Sequence, residues 1–265
     1  MRNKIRFIHI LVAITAGLAS VATSFAQNTD FETTEIADGV YQFRWSAHNG
    51  LFVVDGNQVV AFDPISSDAA AAFASEIKRI VPEAHLAGIV YSHSDADHST
   101  GATTLMAAFG REDVPIVAHE LAVAPIRESG DPDQPEPTVT FAERLSFHVG
   151  DRRVELHYLG PSHTDNIAVG FVPDVKVAFA VDFVNNDRTG YRELPRWQFP
   201  EFFDALARML DIPFEIVVFG HGKPGDRGSI QRQIAYYDDL RSAVRRGIEA
   251  GMTEDELAES IELPA

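Results

Sequence analysis

Apolar and polar positions fall into short β-rich runs near the start of the chain. VYQFRW (40–45), LFVVD (51–55) and VVAFD (59–63) are separated by HNG and DGN turns, which predicts antiparallel strands. The period then changes. SDAAAAFASEIKRIV (67–81) starts with Ser67 or Asp68 as a capping residue and places Phe73, Ile77 and Ile80 at helical spacing. LAGIVYS (86–92) is apolar along its length, like a strand buried on both faces, and delivers His93 at its end. A helix is predicted from about Ser99 to Phe109, closed by Gly110, and VPIVAH (114–119) returns to the strand pattern, with a short helix after it.

Residues 129–138, SGDPDQPEPT, carry three prolines and no apolar side chain; they read as a loop and a candidate lid, not a domain linker. LSFHV (145–149), VELHYL (154–159), IAVGFV (167–172) and VKVAFAVD (175–182) follow as strands joined by tight turns. FFDALARML (202–210) is a helix, EIVVFG (215–220) a buried strand, and residues 228–248 an amphipathic helix. TEDELAESI (253–261) is a last short helix, with Thr253 or Asp255 as its cap. Strand-rich halves flanked by helices imply two mixed sheets packed together and covered on both sides, a four-layer αββα sandwich forming one α/β domain over residues 27–265.

The first 26 residues add an address. Arg2, Lys4 and Arg6 precede an apolar run from Phe7 to about Val21, and small residues stand at Ser24 and Ala26. This layout is that of a secretory signal with cleavage expected after Ala26, so a periplasmic or secreted protein is expected, with no membrane attachment after cleavage. The chain has no cysteine, which removes disulfides and every thiolate metal site and leaves only histidine and carboxylate as ligands. The formal net charge of −17, made more acidic by loss of the three signal-segment cations, disfavours nucleic acid and anionic lipid as partners. A small-molecule substrate is the expected partner.

The chemistry concentrates in SHSDADH (92–98), which supplies His93, Asp95, Asp97 and His98 within six positions. His163 in GPSHTDN, Asp182 at the end of VKVAFAVD and His221 in FGHGKPG each follow an apolar strand. Strand ends on rigid sheets are where converging side chains can be held to the tolerance a metal needs. In order and spacing these seven positions resemble the metallo-β-lactamase-fold hydrolases, whose signature is His-x-His-x-Asp-His followed by a histidine, a bridging aspartate and a last histidine. The resemblance covers about residues 36–250 and departs from the pattern at Asp95, where the family usually has histidine. It implies two divalent ions, zinc foremost, with iron or manganese as alternatives. The first would take His93, Asp95 and His163, the second Asp97, His98 and His221, with Asp182 bridging. It also implies a hydroxide generated between the ions at neutral pH, with Asp97 orienting it or moving its proton.

Three readings of Asp95 stay open: a ligand in place of imidazole, a side chain too short to reach, or a harder oxygen donor that favours iron or manganese. Asp182 argues against a dedicated β-lactamase, since those enzymes usually carry cysteine or serine there, and points to cleavage of a small ester, lactone, thioester, lactam or sulfate/phosphate ester. FVNNDRTGYRELPRWQF (183–199) should border the site mouth, with Arg188, Arg192, Arg196 and Trp197 as substrate contacts for an anionic substrate and Tyr191 as an oxyanion donor. Pairing of these arginines with nearby carboxylates is the competing reading. His48 and Asn49, in the first hairpin, are further candidates to face the metals, while His85, His119, His148 and His157 read as structural. The functional alternative is a non-hydrolytic iron- or manganese-binding redox protein of the same fold.

Overall fold

The computed structural model describes residues 31–190, 194 and 196–263. The expected signal segment, Tyr191 and Arg192 lie outside the described residues. Strands β1 (Phe31–Ala37), β2 (Val40–Trp45), β3 (His48–Asp55), β4 (Gln58–Phe62), β5 (His85–Val90), β6 (Ile116–His119) and β7 (Val139–Phe141) form one sheet in chain order. Two-residue turns join β1 to β4, so those strands pair antiparallel. From β4 onward pairing is parallel, because helix α1 (Ser67–Ile80) and the short helices α2 (Ala96–Ser99) and α3 (Ala102–Ala108) supply the crossovers. Helix α4 (Val123–Ser129) leads on to β7, which also pairs parallel.

The second sheet contains β8 (Arg144–Val149), β9 (Arg152–Tyr158), β10 (Ala168–Val172), β11 (Val177–Ala180), β12 (Ile216–Phe219) and β13 (Gly225–Asp226), in the order β13-β12-β11-β10-β9-β8. Helix α5 (Glu201–Met209) carries the chain over between β11 and β12, which pair parallel; α6 (Arg227–Glu249) and α7 (Glu254–Ser260) complete the chain.

The alternation of strand residues builds the layers. Phe43, Phe52, Val59 and Ala61 face Phe73 and Ile77 of α1, while their neighbours Leu51, Val53, Val60 and Phe62 face Val154, Leu156 and Phe179 of the other sheet. A third apolar layer packs Phe171 and Val217 against Phe202 of α5 and Ile230 and Tyr237 of α6. Helices, sheet, sheet, helices: the expected αββα sandwich is the observed one. Among the described residues, no helix is long and apolar enough to cross a membrane.

Local expectations differ in three places, and in a fourth the structure selects one of two expected caps. The helix expected from Ser99 is two helices, α2 and α3, broken at Gly101, whose φ of +102° and close approach to the Ser66 carbonyl leave no room for a side chain. This puts His98 inside α2. The cap of α1 is Ser66, whose hydroxyl accepts from Ala69 N at 3.2 Å, one residue ahead of the expected position. Thr253, not Asp255, caps α7, in a reciprocal capping box with Glu256. Finally, loop 129–138 is no lid. The Asp133 carboxylate accepts from Thr104 N at 2.8 Å and Thr104 Oγ1 at 3.0 Å, and the buried Gln134 amide donates to Ser94 O at 2.9 Å. The loop braces the SHSDADH segment from behind.

Candidate metal centre

All seven expected ligands meet at one edge of the sandwich, past the ends of the strands. His93, Asp95, Asp97 and His98 follow β5; His163 follows β9, Asp182 follows β11 and His221 follows β12. Both sheets therefore contribute.

The first group is His93, Asp95, His163 and Asp182. Asp95 Oδ2 lies 3.1 Å from His163 Nε2 and 3.4 Å from His93 Nε2, and Asp182 Oδ2 lies 3.5 Å from each of those nitrogens. An ion with nitrogen and oxygen ligands at about 2.0–2.1 Å in a tetrahedron separates neighbouring donors by ~3.3 Å. The four atoms match that spacing, and the aspartate reaches it as well as the histidines do. The second group is His98, Asp182 and His221, with Asp182 Oδ1 at 3.4 Å from His98 Nε2 and 3.0 Å from His221 Nε2. One oxygen of Asp182 thus faces each group. The buried Nε2 atoms of His93 and His98 have no hydrogen-bond partner, as expected of atoms shaped to hold a cation. Asp97 stands further off, at 3.9 Å from His98 Nε2, and accepts instead from His48 Nε2 at 3.1 Å.

Surrounding groups fix which nitrogen of each imidazole faces inward. Asp63, fully buried after β4, accepts from Ser92 N at 2.7 Å, Ser92 Oγ at 2.6 Å and His98 Nδ1 at 3.1 Å. Ser92 Oγ in turn accepts from His93 Nδ1 at 2.9 Å, so one carboxylate orients an imidazole of each group. Positive φ angles at Asp63 (+52°), Ile65 (+75°) and Asp182 (+65°) mark strained backbone in the turns that aim these groups; β-branched Ile65 is the most unusual, and its N–H is tied to His98 O at 2.9 Å. His221 Nδ1 donates to Ala47 O at 2.9 Å. Asn49 holds that turn from below, its buried amide donating to Phe219 O at 2.8 Å and Gly222 O at 2.9 Å, while its N–H donates to Gly220 O at 2.8 Å.

Asp63, Ser92 and Gln134 were not singled out in the sequence, because nothing distinguishes a carboxylate or hydroxyl at a strand end until its partners are known. Of the expected substrate contacts, Arg188 and Trp197 line the open cleft of ≈ 980 Å³ above the metal groups. Trp197 stands edge-on to His163, with ring centroids 6.1 Å apart. Arg196 also borders the cleft, but its guanidinium is committed to Asp95, with Nη1 donating to Oδ1 at 2.8 Å. His119 and His157 are buried and bonded to Ala142 O and Glu155, as structural histidines are.

A family model described as the metallo-beta-lactamase superfamily matches residues 43–221. The chain belongs to this superfamily. No curated protein matches it. Among solved structures, a metallo-beta-lactamase from Pontibacter korlensis is similar with a TM-score of 0.67 at 22% identity, covering 77% of this chain and 97% of that one. The DIM-1 metallo-beta-lactamase is similar with a TM-score of 0.67 at 20% identity, covering 77% and 95%. At such identities these likenesses show the fold alone. The protein is a superfamily metallohydrolase whose two His/Asp groups are consistent with a dinuclear site.

The electrostatics of the metal-free state carry a prediction. Burial alone would push the His93 imidazole down from 6.5, but the carboxylates of Asp182 and Asp95 outweigh it and push it up to about 9. His98 is likewise raised well above its ordinary value, against its burial, by Asp182 and Asp63. Proton binding at His93 therefore stabilises the metal-free fold below pH 6.5, and that contribution is lost as pH rises through about 9. A metal needs the neutral imidazole. Zinc binding at pH 7 is expected to release about one proton or more per chain and to tighten by ~10-fold per pH unit for each proton released, until pH nears 9. Calorimetry in two buffers of different ionisation enthalpy checks this; zinc binding without proton release would contradict it.

Proposed function

We propose that the protein is an exported hydrolase with two zinc ions that cleaves a small ester, lactone, thioester, lactam or sulfate/phosphate ester. The observation that carries this reading is Asp182: its two oxygens face two separate ligand groups, 3.5 Å from His93 and His163 on one side and 3.4 and 3.0 Å from His98 and His221 on the other. In this reading His93, Asp95, His163 and Asp182 hold the first ion, and His98, His221, Asp182 and Asp97 hold the second. Two divalent ions held there would supply a water of pKa lowered toward ~7 and a Lewis acid for the oxygen of the bond to be cleaved.

The chain's own groups do the rest. The hydrogen bond from His48 and the nearby His98 outweigh burial and hold Asp97 at about 2, so at neutral pH it is a carboxylate able to accept a hydrogen bond from the attacking water and orient it. Arg188 gives the cleft wall a cation, in a chain otherwise strongly acidic, that suits an anionic substrate group, and Trp197 offers an apolar face. Tyr191 and Arg192 belong to the same segment and are proposed as an oxyanion donor and a further substrate contact.

The test is elemental analysis of residues 27–265 purified without chelator, together with turnover of a panel of lactones, esters, thioesters, lactams and sulfate and phosphate esters. About two zinc ions per chain and hydrolysis abolished by chelator are expected, with Asp95→Ala falling toward one ion. Iron or manganese as the dominant metal, with no hydrolysis, would overturn the reading in favour of a redox protein of this fold, which the oxygen-rich first group would suit.

A further inference from the structure

Asp95 does not stand alone. Arg196 grips it with both terminal guanidinium nitrogens: Nη1 donates to Oδ1 at 2.8 Å, Nη2 contacts Oδ2, and Nη2 also lies 3.1 Å from His163 Nε2. The oxygen and the nitrogen touched by Nη2 are two of the four donor atoms of the first group. The placement of Arg196 is built in. Gln198 N donates to Ser162 O at 2.8 Å, and Trp197 lies edge-on to His163, so the backbone on the C-terminal side of Arg196 is fastened to the loop that carries His163. Fork-to-carboxylate geometry of this kind is specific to arginine.

We infer that Arg196 is a resident cation of the first metal group, holding Asp95 in its ligating position in the absence of metal and competing with the first ion for Asp95 Oδ2 and His163 Nε2. The inference rests on the metal-binding reading of the site. Two consequences follow from the contacts. Aspartate at this position adds one negative charge relative to the family's histidine, and the guanidinium cancels it, so the pair offers the ion one donor atom and no net charge. On loading, Nη2 must withdraw from both shared atoms, while the Nη1–Oδ1 bond has no need to break. The first group therefore fills after the second, and at a higher zinc concentration.

The experiment is a zinc titration, by calorimetry and by competition with a chromophoric chelator, of the full mature chain and of Arg196→Gln, Arg196→Lys, Asp95→His and the double variant Asp95→His/Arg196→Gln. Thermal melts of the metal-free forms accompany it. The wild type is expected to show a tighter and a weaker zinc step. Arg196→Gln should tighten the weaker step by about three- to tenfold, leave the tighter one unchanged, and lower the melting temperature of the metal-free protein. Arg196→Lys, which keeps the charge but not the fork, should fall between. Asp95→His should bind the first ion more tightly in the Arg196→Gln background than beside the arginine, because there the guanidinium faces an imidazole without its carboxylate.

A merely structural Arg196 would lower stability and metal affinity together, so the opposite signs identify the proposed role. The inference is overturned if two zinc ions bind and Arg196→Gln leaves the weaker step unchanged or loosens it. It is also overturned if Arg196→Gln tightens both steps alike. The failure of the metallohydrolase reading looks different: the wild type then takes up no zinc at the group of His98, Asp182 and His221, whatever stands at position 196.

Discussion

Asp182→Ala should reduce tightly bound metal from about two ions per chain to at most one, and lower turnover by at least ~10³-fold, several kcal/mol of transition-state stabilisation at about 1.4 kcal/mol per tenfold. The loss is unequal between the two groups. Without Asp182 the first group keeps His93, Asp95 and His163, with the two imidazole nitrogens 3.4 and 3.1 Å from Asp95 Oδ2. The second keeps only His98 and His221, plus an Asp97 that stands 3.9 Å from His98 and is bonded to His48. The second ion should be lost and the first weakened. Burial would raise the Asp182 carboxyl, but His98 and the hydrogen bonds of His221 and His93 hold it well below the usual carboxylate range, so the variant also leaves the metal-free histidines without their counter-charge. Metal analysis after dialysis against a weak chelator measures the first effect and steady-state turnover the second. Retention of both ions would mean that Asp182 does not bridge.

Asp63→Asn should weaken zinc at the second group by about 10–100-fold without touching any atom of the cleft. The substitution keeps shape and removes one acceptor. All the partners of the Asp63 carboxylate donate: Ser92 N, Ser92 Oγ and His98 Nδ1. Whichever way the amide turns, its NH2 meets a donor head-on in a fully buried place, and either His98 or Ser92 must rotate. Since Ser92 Oγ also accepts from His93, the disturbance reaches the first group more weakly. Chelator competition on the purified variant reads both affinities. Equal affinities in wild type and variant would show that His98 is oriented by its packing alone.

How much of this was legible beforehand varies with the kind of signal. The sheets were, because Leu51, Val53, Val60 and Phe62 alternate with Phe43, Phe52, Val59 and Ala61, and a period of two with both faces apolar demands a layer on each side. Strand β1 was not, since FETTEIA is an edge strand with half-exposed residues and little apolar contrast, and β7 is three residues long. The break between α2 and α3 depends on the Ser66 carbonyl, 35 positions before Gly101 and invisible to local propensity. The metal ligands were legible because their spacing and strand-end contexts resemble a family pattern. The side chains that orient them were not: Asp63, Asn49 and Arg196 acquire their roles only from partners 29 to 173 positions away. From the sequence Arg196 is either a substrate contact or the partner of a carboxylate; in the structure it pairs, and the partner is the distant Asp95.

The metal groups draw His93, Asp95 and His98 from one sheet and His163, Asp182 and His221 from the other. In a chain without cysteine, bound ions therefore act as reversible cross-links between the two halves of the sandwich, clasping residues as far apart in sequence as His98 and His221. Their stabilisation grows with the logarithm of free metal concentration, so the resistance of this protein to heat or proteases is expected to follow the metal content of its surroundings.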